Sequence, residues 1–338
     1  MSPIPGPILL LVLPLLTAGV TYLLRRWTIL ASLLAALTTA SLALLCLRLP
    51  LDRSAFVLGQ EVAFGRPVVI VGRNLMLDPT GKAWLAFIFV LVTVLHLFAW
   101  RVPQGRSFFS FSLAILSLYA MTTMLQNLAL SVLVFAISTT LTIFIIQGGQ
   151  SPSIRGAQRY LMVALLAIPF LLSAIWFVDQ FALDPANGEM AQRALFPAVL
   201  GFGLLLAVFP FGTWMPALSA DAPPIVTAFV FTAGQAMAFY LALRFLGSAP
   251  WIVGHPTTSS VILLSGLIMA LSGGIMAAAQ RDLGRLLGYA ALSNLGFLLL
   301  GFGTGGSQGL TLALLHLLNR TVAIVLLAMS LAILRHWA

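Results

Sequence analysis

Eleven apolar runs, most close to twenty residues long, dominate this sequence: 7–24, 28–47, 83–100, 107–125, 127–147, 158–178, 194–214, 224–244, 258–279, 285–303 and 308–334. A helix needs about 20 apolar residues to cross about 30 Å of hydrocarbon, and it must satisfy its own backbone groups there. The succession therefore predicts an all-α polytopic membrane protein of about 11 transmembrane helices, the last long enough to tilt or bend. Composition excludes the alternative. Only 7% of the 338 residues are charged and 61% are hydrophobic, against roughly 25% charged in a soluble domain, so the apolar surplus faces lipid.

Of the 17 cations, 16 are arginines scattered between the runs. The net charge of +9 thus forms no basic stripe for nucleic acid and reads as topology information. Sorted by loop parity, Arg25, Arg26, Arg101, Arg106, Arg155, Arg159, Arg281, Arg285 and Arg335 share one side with only Asp221 and Asp282. Arg48, Arg53, Arg66, Arg73, Lys82, Arg193 and Arg244 share the other with all the remaining acids. The positive-inside rule makes the first side cytoplasmic, which puts the N-terminus outside and the C-terminus in the cytoplasm. The first run has no cation ahead of it and Arg25–Arg26 behind it, the reverse of a cleaved signal, so it is expected to stay as a membrane helix.

Loop 49–81 on the outer side alternates enough from Phe56 to Leu77 to predict a short hairpin around Gly65, Pro67 and Gly72. Pro210, Pro216, Pro223 and Pro224 cluster where the seventh run gives way to the eighth, and they mark a structural helix break. Asp221 is expected to cap the eighth helix, Asp282 to pair with Arg281 and Arg285, and His96 to cap the third helix or sit at the interface. Cys46 lies in an apolar run and reads as an inert buried thiol. The sequence shows no metal-ligand spacing. Gly301–Gly306 lacks the Lys-Ser/Thr of a phosphate loop and reads as a turn.

The segment PFGTWMP…APPIVTAF, from Pro210 to Phe229, resembles the PFHxWxPDxxxxAPTPVTAF signature of the antiporter-like membrane subunits of respiratory complex I, particularly the N-type branch. Gln280–Phe297 and Ala313–Asn319 resemble two further blocks of that family, the last closest to its L- and M-type branches. The resemblance implies an antiporter-like fold in which helices four to eight form one complete five-helix repeat and later helices an inverted second one. The divisions are then 1–101 (helices one to three with hairpin loop 49–81), 102–246 (first repeat) and 247–338 (second repeat, incomplete where the chain stops after the eleventh run). The family works in proton-translocating assemblies and related Mrp antiporters and membrane hydrogenases. The resemblance therefore implies other antiporter-like and membrane-arm subunits as partners, with quinone, flavin or iron–sulfur groups on those partners and none on this chain.

The family's intramembrane charges, carried over by position, are missing. The helix-five Glu falls at Ala136 or Ile137, the helix-seven Lys at Leu205, the helix-eight Lys at Gln235 and the helix-eleven Lys at Ile324. Hydroxyls alone (Ser138, Thr139, Thr140, Thr232) would line a path through the first repeat. Arg320 is the one charge away from the ends of a run, four residues after His316 and on its helical face. It is read either as an internal anchor bonded to carbonyls or as a fixed substitute for the lost Lys, with Arg320, His316 and Gln235 as the proton-path candidates. The expectation is a structural or accessory subunit without catalytic residues. The rivals are an active translocator using those three residues or partner helices, and the membrane subunit of a hydrogenase or inorganic-carbon uptake system.

Overall fold

The computed structural model describes residues 4–51, 55–57, 60–70, 72–102, 104–149, 153–186, 188–253 and 256–337. They form two compact units, Met1–Gly148 and Gly149–Ala338.

The first unit holds α1 (Gly6–Leu23), α2 (Thr28–Arg48), α3 (Pro79–Ala99), α4 (Phe108–Met124) and α5 (Leu128–Ile146). Local chemistry sets the helix starts. Asp78 Oδ1 accepts from Gly81 N at 3.0 Å ahead of Pro79, and Asn127 Oδ1 accepts from Leu130 N at 2.9 Å, satisfying N–H groups that have no partner in the helix. Lipid tails are as apolar as leucine, so helices associate in a membrane through close approach of small residues and through hydroxyl bonds. α2 buries Ala31, Ser32, Ala35, Ala36, Thr39 and Ala43, and Thr93 Oγ1 on α3 meets Thr39 Oγ1 at 2.9 Å. α1 packs on α4, with Ser117 Oγ donating to Leu11 O at 2.8 Å.

Two sequence expectations are corrected in this unit. His96 is neither a cap nor interfacial. It is fully buried, its Nε2 lies 2.8 Å from Ser112 Oγ on α4, and its ring contacts Phe108 and Phe109. Loop 49–81 carries two small hairpins where one was expected: β2 (Ala55–Val57) with β3 (Gln60–Ala63), and β4 (Val68–Ile70) with β5 (Arg73–Leu75). β1 (Ile4–Pro5) adds to β3 in parallel. The pairs separate at Gly65, which approaches the carbonyl oxygen of Leu51 so closely that a Cβ there would clash.

The second unit holds α6 (Arg155–Leu183), α7 (Gly188–Leu205), the short α8 (Trp214–Asp221), α9 (Pro224–Phe229), α10 (Gln235–Ser248), α11 (Pro250–Val253), α12 (Pro256–Ala278), α13 (Leu283–Gly303) and α14 (Gly306–Trp337). A π-helical turn, Val230–Gly234, joins α9 to α10. In Pro224–Ser248, 94% of the most apolar window is buried, against 22% in Thr258–Ala278. The interrupted α9–α10 helix is therefore enclosed by protein, whereas this chain leaves most of α12 uncovered. Among the described residues, nine helices are long and apolar enough to span a membrane.

The two expected spans outside that set are the fourth, a 17-residue helix, and the seventh, which is not one helix. α7 ends at Leu205, Ala207 takes a left-handed φ of 57°, and Phe211–Thr213 form one 3₁₀ turn before α8. Pro210 precedes that turn, and a proline cannot donate to a continuing helix. Pro216 is the third residue of α8, where the N–H has no helical partner to lose. Pro223 and Pro224 end α8 and open α9. All four prolines thus lie between the end of α7 and the start of α9.

Candidate functional site: a buried arginine at a helix interruption

α14 packs against α9 and the π turn and places Arg320, 0% exposed, beside it. An i→i+5 turn inserts one residue into the helical ladder. Here Phe231 O, within the turn, accepts from Arg320 Nη1 at 2.8 Å. Arg320 Nη2 donates to Gln235 Oε1, and Gln235 Nε2 reaches Met215 Sδ on α8 at 3.6 Å. Arg320 Nε has no hydrogen-bond partner among the described residues. A cation at the bilayer centre costs about 2.5–3.5 kcal/mol on insertion scales, and bonds from charged donors return about 1.5–3 kcal/mol each. Two such bonds are of the size needed to hold the guanidinium in place without a carboxylate.

Trp214, next to Met215 in α8, packs against Phe231 of the π turn. Its ring lies 5.2 Å from Tyr160 and 5.9 Å from Phe231. Its buried Nε1 is a second donor without a partner among the described residues.

The structure joins Arg320 to Gln235 and leaves His316 apart. His316 is half-buried, and its Nε2 lies 2.9 Å from Asn294 O on α13. A carbonyl only accepts, so this bond assigns the proton to Nε2. Although the two residues are one turn apart on α14, His316 bonds to α13 and Arg320 to the α9–α10 helix. Of the positions where family charges are lost, Leu205 and Ile324 are buried and Ile137 is 54% exposed. The hydroxyls that alone would line a path turn back on their own helices. Ser138 donates to Phe135 O at 2.6 Å, Thr139 and Thr140 to Ala136 O at 2.8 and 2.9 Å, and Thr232 to Ala228 O at 2.5 Å. Each hydroxyl proton is thereby spent on a carbonyl three or four residues back.

Both acids beside the cationic loops differ from expectation. Asp221 is the last residue of α8 and does not cap the eighth span. Its Oδ2 accepts from Gly156 N at 2.8 Å and from Ser153 Oγ at 2.9 Å, so it caps α6 across space. Asp282 caps α13, with Oδ1 accepting from Arg285 N at 2.9 Å, in place of the expected ion pairs. No group of three or more His, Cys, Asp or Glu side chains suited to a metal ion occurs among the described residues.

These features define a polytopic α-helical membrane protein with an antiporter-like fold and an arginine fixed in its interior. Residues 84–336 match the family described as NADH:quinone oxidoreductase/Mrp antiporter, transmembrane, and the chain belongs to it. It is 29% identical to NADH-quinone oxidoreductase subunit N of Desulforudis audaxviator, over 94% of this chain and 67% of that one. It is 25% identical to the subunit of the same name from Thiobacillus denitrificans, over 76% of this chain and 57% of that one. It thus spans roughly two-thirds or less of the length of the relatives it matches. Among solved structures, a chain of the Mrp complex from Dietzia sp. superposes with TM-score 0.77 at 20% identity, over 98% of this chain and 38% of that one. A chain of respiratory complex I from Thermus thermophilus superposes with TM-score 0.76 at 19% identity, over 95% and 70%. At these identities the two superpositions establish the fold.

The sequence contained no sign of Phe231 O, Met215 or Trp214 as parts of this region. The small residues Thr232, Ala233 and Gly234 directly before Gln235 are the one signal that a close approach by another helix was accommodated there.

Proposed function

We propose that this chain is a membrane-arm subunit of a complex I-like, NADH–quinone oxidoreductase-type assembly, with a structural or accessory role in place of proton conduction by titrating lysines and glutamates. The observation that carries the reading is the seating of Arg320 on Phe231 O and Gln235 Oε1. Gln235 stands where the family places its helix-eight Lys, so a positive charge is supplied at that point from the eleventh helix. Guanidinium does not release its proton in proteins, and a fixed interior cation opposes the passage of protons. The back-bonded hydroxyls support the same reading. In this role the chain packs beside other antiporter-like subunits, its N-terminus outside and its C-terminus cytoplasmic. Quinone, flavin and iron–sulfur chemistry then belongs to partner subunits.

The test is the proton stoichiometry of the purified assembly with Arg320→Leu and with His316→Ala. Unchanged protons per electron pair are expected. A clear drop with the assembly intact overturns the accessory role and favours translocation through this chain.

A further inference from the structure

A cleft of about 560 Å³ opens in the second unit, where α6 and α13 begin. Arg155 and Arg159 on α6 and Arg285 on α13 line it. All three are exposed, and none of their guanidinium groups has a bonding partner among the described residues. The single acid in the lining, Asp221, is already committed to Gly156 N and Ser153 Oγ. It caps the start of α6 and, among the described residues, makes no ion pair with the arginines, so the lining sets three cations against one anion. The cleft is therefore cationic, with Tyr289 and Thr213 adding hydroxyls, whereas Ser272 Oγ donates to Ile268 O at 2.6 Å.

The larger apolar side chains in the lining are Met269 and Met276 on α12, Leu292 on α13, and Phe209 in the break after α7. Phe209 also lines a second cavity, about 190 Å³, walled by Phe202, Phe211, Phe239 and Leu299. One lining thus combines three arginines with two methionines, a leucine and Phe209, and Phe209 is shared with a phenylalanine-rich slot. A soluble anion would use only the arginine part of this lining. An amphiphile with a negative head and an alkyl chain would use all of it, and the surrounding bilayer supplies such molecules at high local concentration. Arginine suits the head because its planar fork matches phosphate oxygens.

We propose that the cleft holds the phosphate headgroup of an anionic phospholipid between Arg155, Arg159 and Arg285, with an acyl chain lying along Met276, Met269 and Leu292 toward Phe209. The site ties the start of α6 to α13 through the lipid.

The experiment is native mass spectrometry of the purified full chain after exchange into detergent with phosphatidylglycerol or phosphatidylcholine of identical chains. The unaltered chain is expected to retain phosphatidylglycerol at least about tenfold better, a difference of about 1.4 kcal/mol. The Arg155→Gln/Arg159→Gln/Arg285→Gln variant is expected to lose that preference. Met276→Trp, which fills the apolar wall and leaves the charges, should lower retention of the lipid. Millimolar inorganic phosphate should not displace it. Equal retention of the two lipids by the unaltered chain overturns the proposal without reference to any variant. A preference that survives loss of all three arginines overturns it as well. Full displacement by inorganic phosphate would define a free-anion site and overturn the lipid assignment.

Discussion

Arg320 on α14 donates through Nη2 to the side-chain oxygen of Gln235 at the start of α10, while its Nη1 takes the backbone oxygen of Phe231 at 2.8 Å. One guanidinium thereby bridges the eleventh helix to both ends of a π turn in the eighth. The two acceptors are fully or almost fully buried, so neither has water to fall back on.

Removing the arginine alone should therefore cost more than removing both partners. Arg320→Leu leaves Gln235 Oε1 and Phe231 O unpaired, at about 1–3 kcal/mol for each buried acceptor. Arg320→Leu combined with Gln235→Leu leaves only the carbonyl. A double-mutant cycle on thermal or denaturant unfolding of the purified chain should yield a coupling of about 0.5–3 kcal/mol between the two positions. Strictly additive effects would show that the bond contributes nothing. Arg320→Lys should behave more like Leu than like Arg, because an ammonium cannot present the planar fork.

Gln235→Lys tests whether the charge at this point is already supplied. Two cations about 4 Å apart repel by roughly 4 kcal/mol at an effective dielectric of 20, so this variant should be severely destabilised. Adding Arg320→Leu should recover most of the loss, since a single ammonium then faces the carbonyl. Fluorescence-detected size exclusion gives the folded fraction. Gln235→Lys folding as well as the unaltered chain would separate the two side chains in space.

How far the sequence could reach depended on the range of the interaction. Membrane helices are legible because hydrocarbon thickness imposes a length on each apolar run. The proline break is equally legible, since a missing N–H is a local property of the residue. That Arg320 must face protein followed from its charge. That its partners are Phe231 O and Gln235 did not, because helical periodicity places Arg320 beside His316 on one face yet says nothing of which neighbour each side chain reaches. Asp221 was misread for the same reason. Its place just before Pro223 and Pro224 suggested a local cap, whereas its actual acceptor role is to Gly156, 65 residues away. Arg155, Arg159 and Arg285 were legible only as topology signals until folding gathered them on one cleft.

The cap exerted by Asp221 gives a third prediction. Asp221→Ala removes an ionised acceptor from both Gly156 N and Ser153 Oγ and should cost about 1–2 kcal/mol. Asp221→Asn keeps an acceptor oxygen and should cost less. Ser153→Ala removes one of the two bonds and should cost about 0.5–1.5 kcal/mol. Because the cap acts on the first turn of α6, hydrogen exchange of the amides following Arg155 should accelerate in Asp221→Ala and stay unchanged in α13. Uniform acceleration across both helices would mean that the carboxylate supports the unit as a whole and not this terminus.

Two glycines separate close helix packing from helix propensity. A Cβ on Gly156 would lie 2.7 Å from Ala217 O and 2.8 Å from Leu218 Cα. These backbone atoms belong to α8, so they can retreat only if the short helix shifts away from α6. Gly156→Ala should accordingly destabilise the chain by about 1–3 kcal/mol, the usual cost of overpacking. Gly247, near the end of α10, has nothing within 4 Å of where its Cβ would stand, and its φ lies outside the left-handed range. There the same substitution removes freedom from the unfolded chain without a clash, and Gly247→Ala should stabilise by about 0.4–1 kcal/mol. Opposite signs in one unfolding assay are the expected result. A neutral Gly156→Ala would show that α8 yields readily, and the α6–α8 contact could then not be what fixes the position of Met215 beneath Gln235.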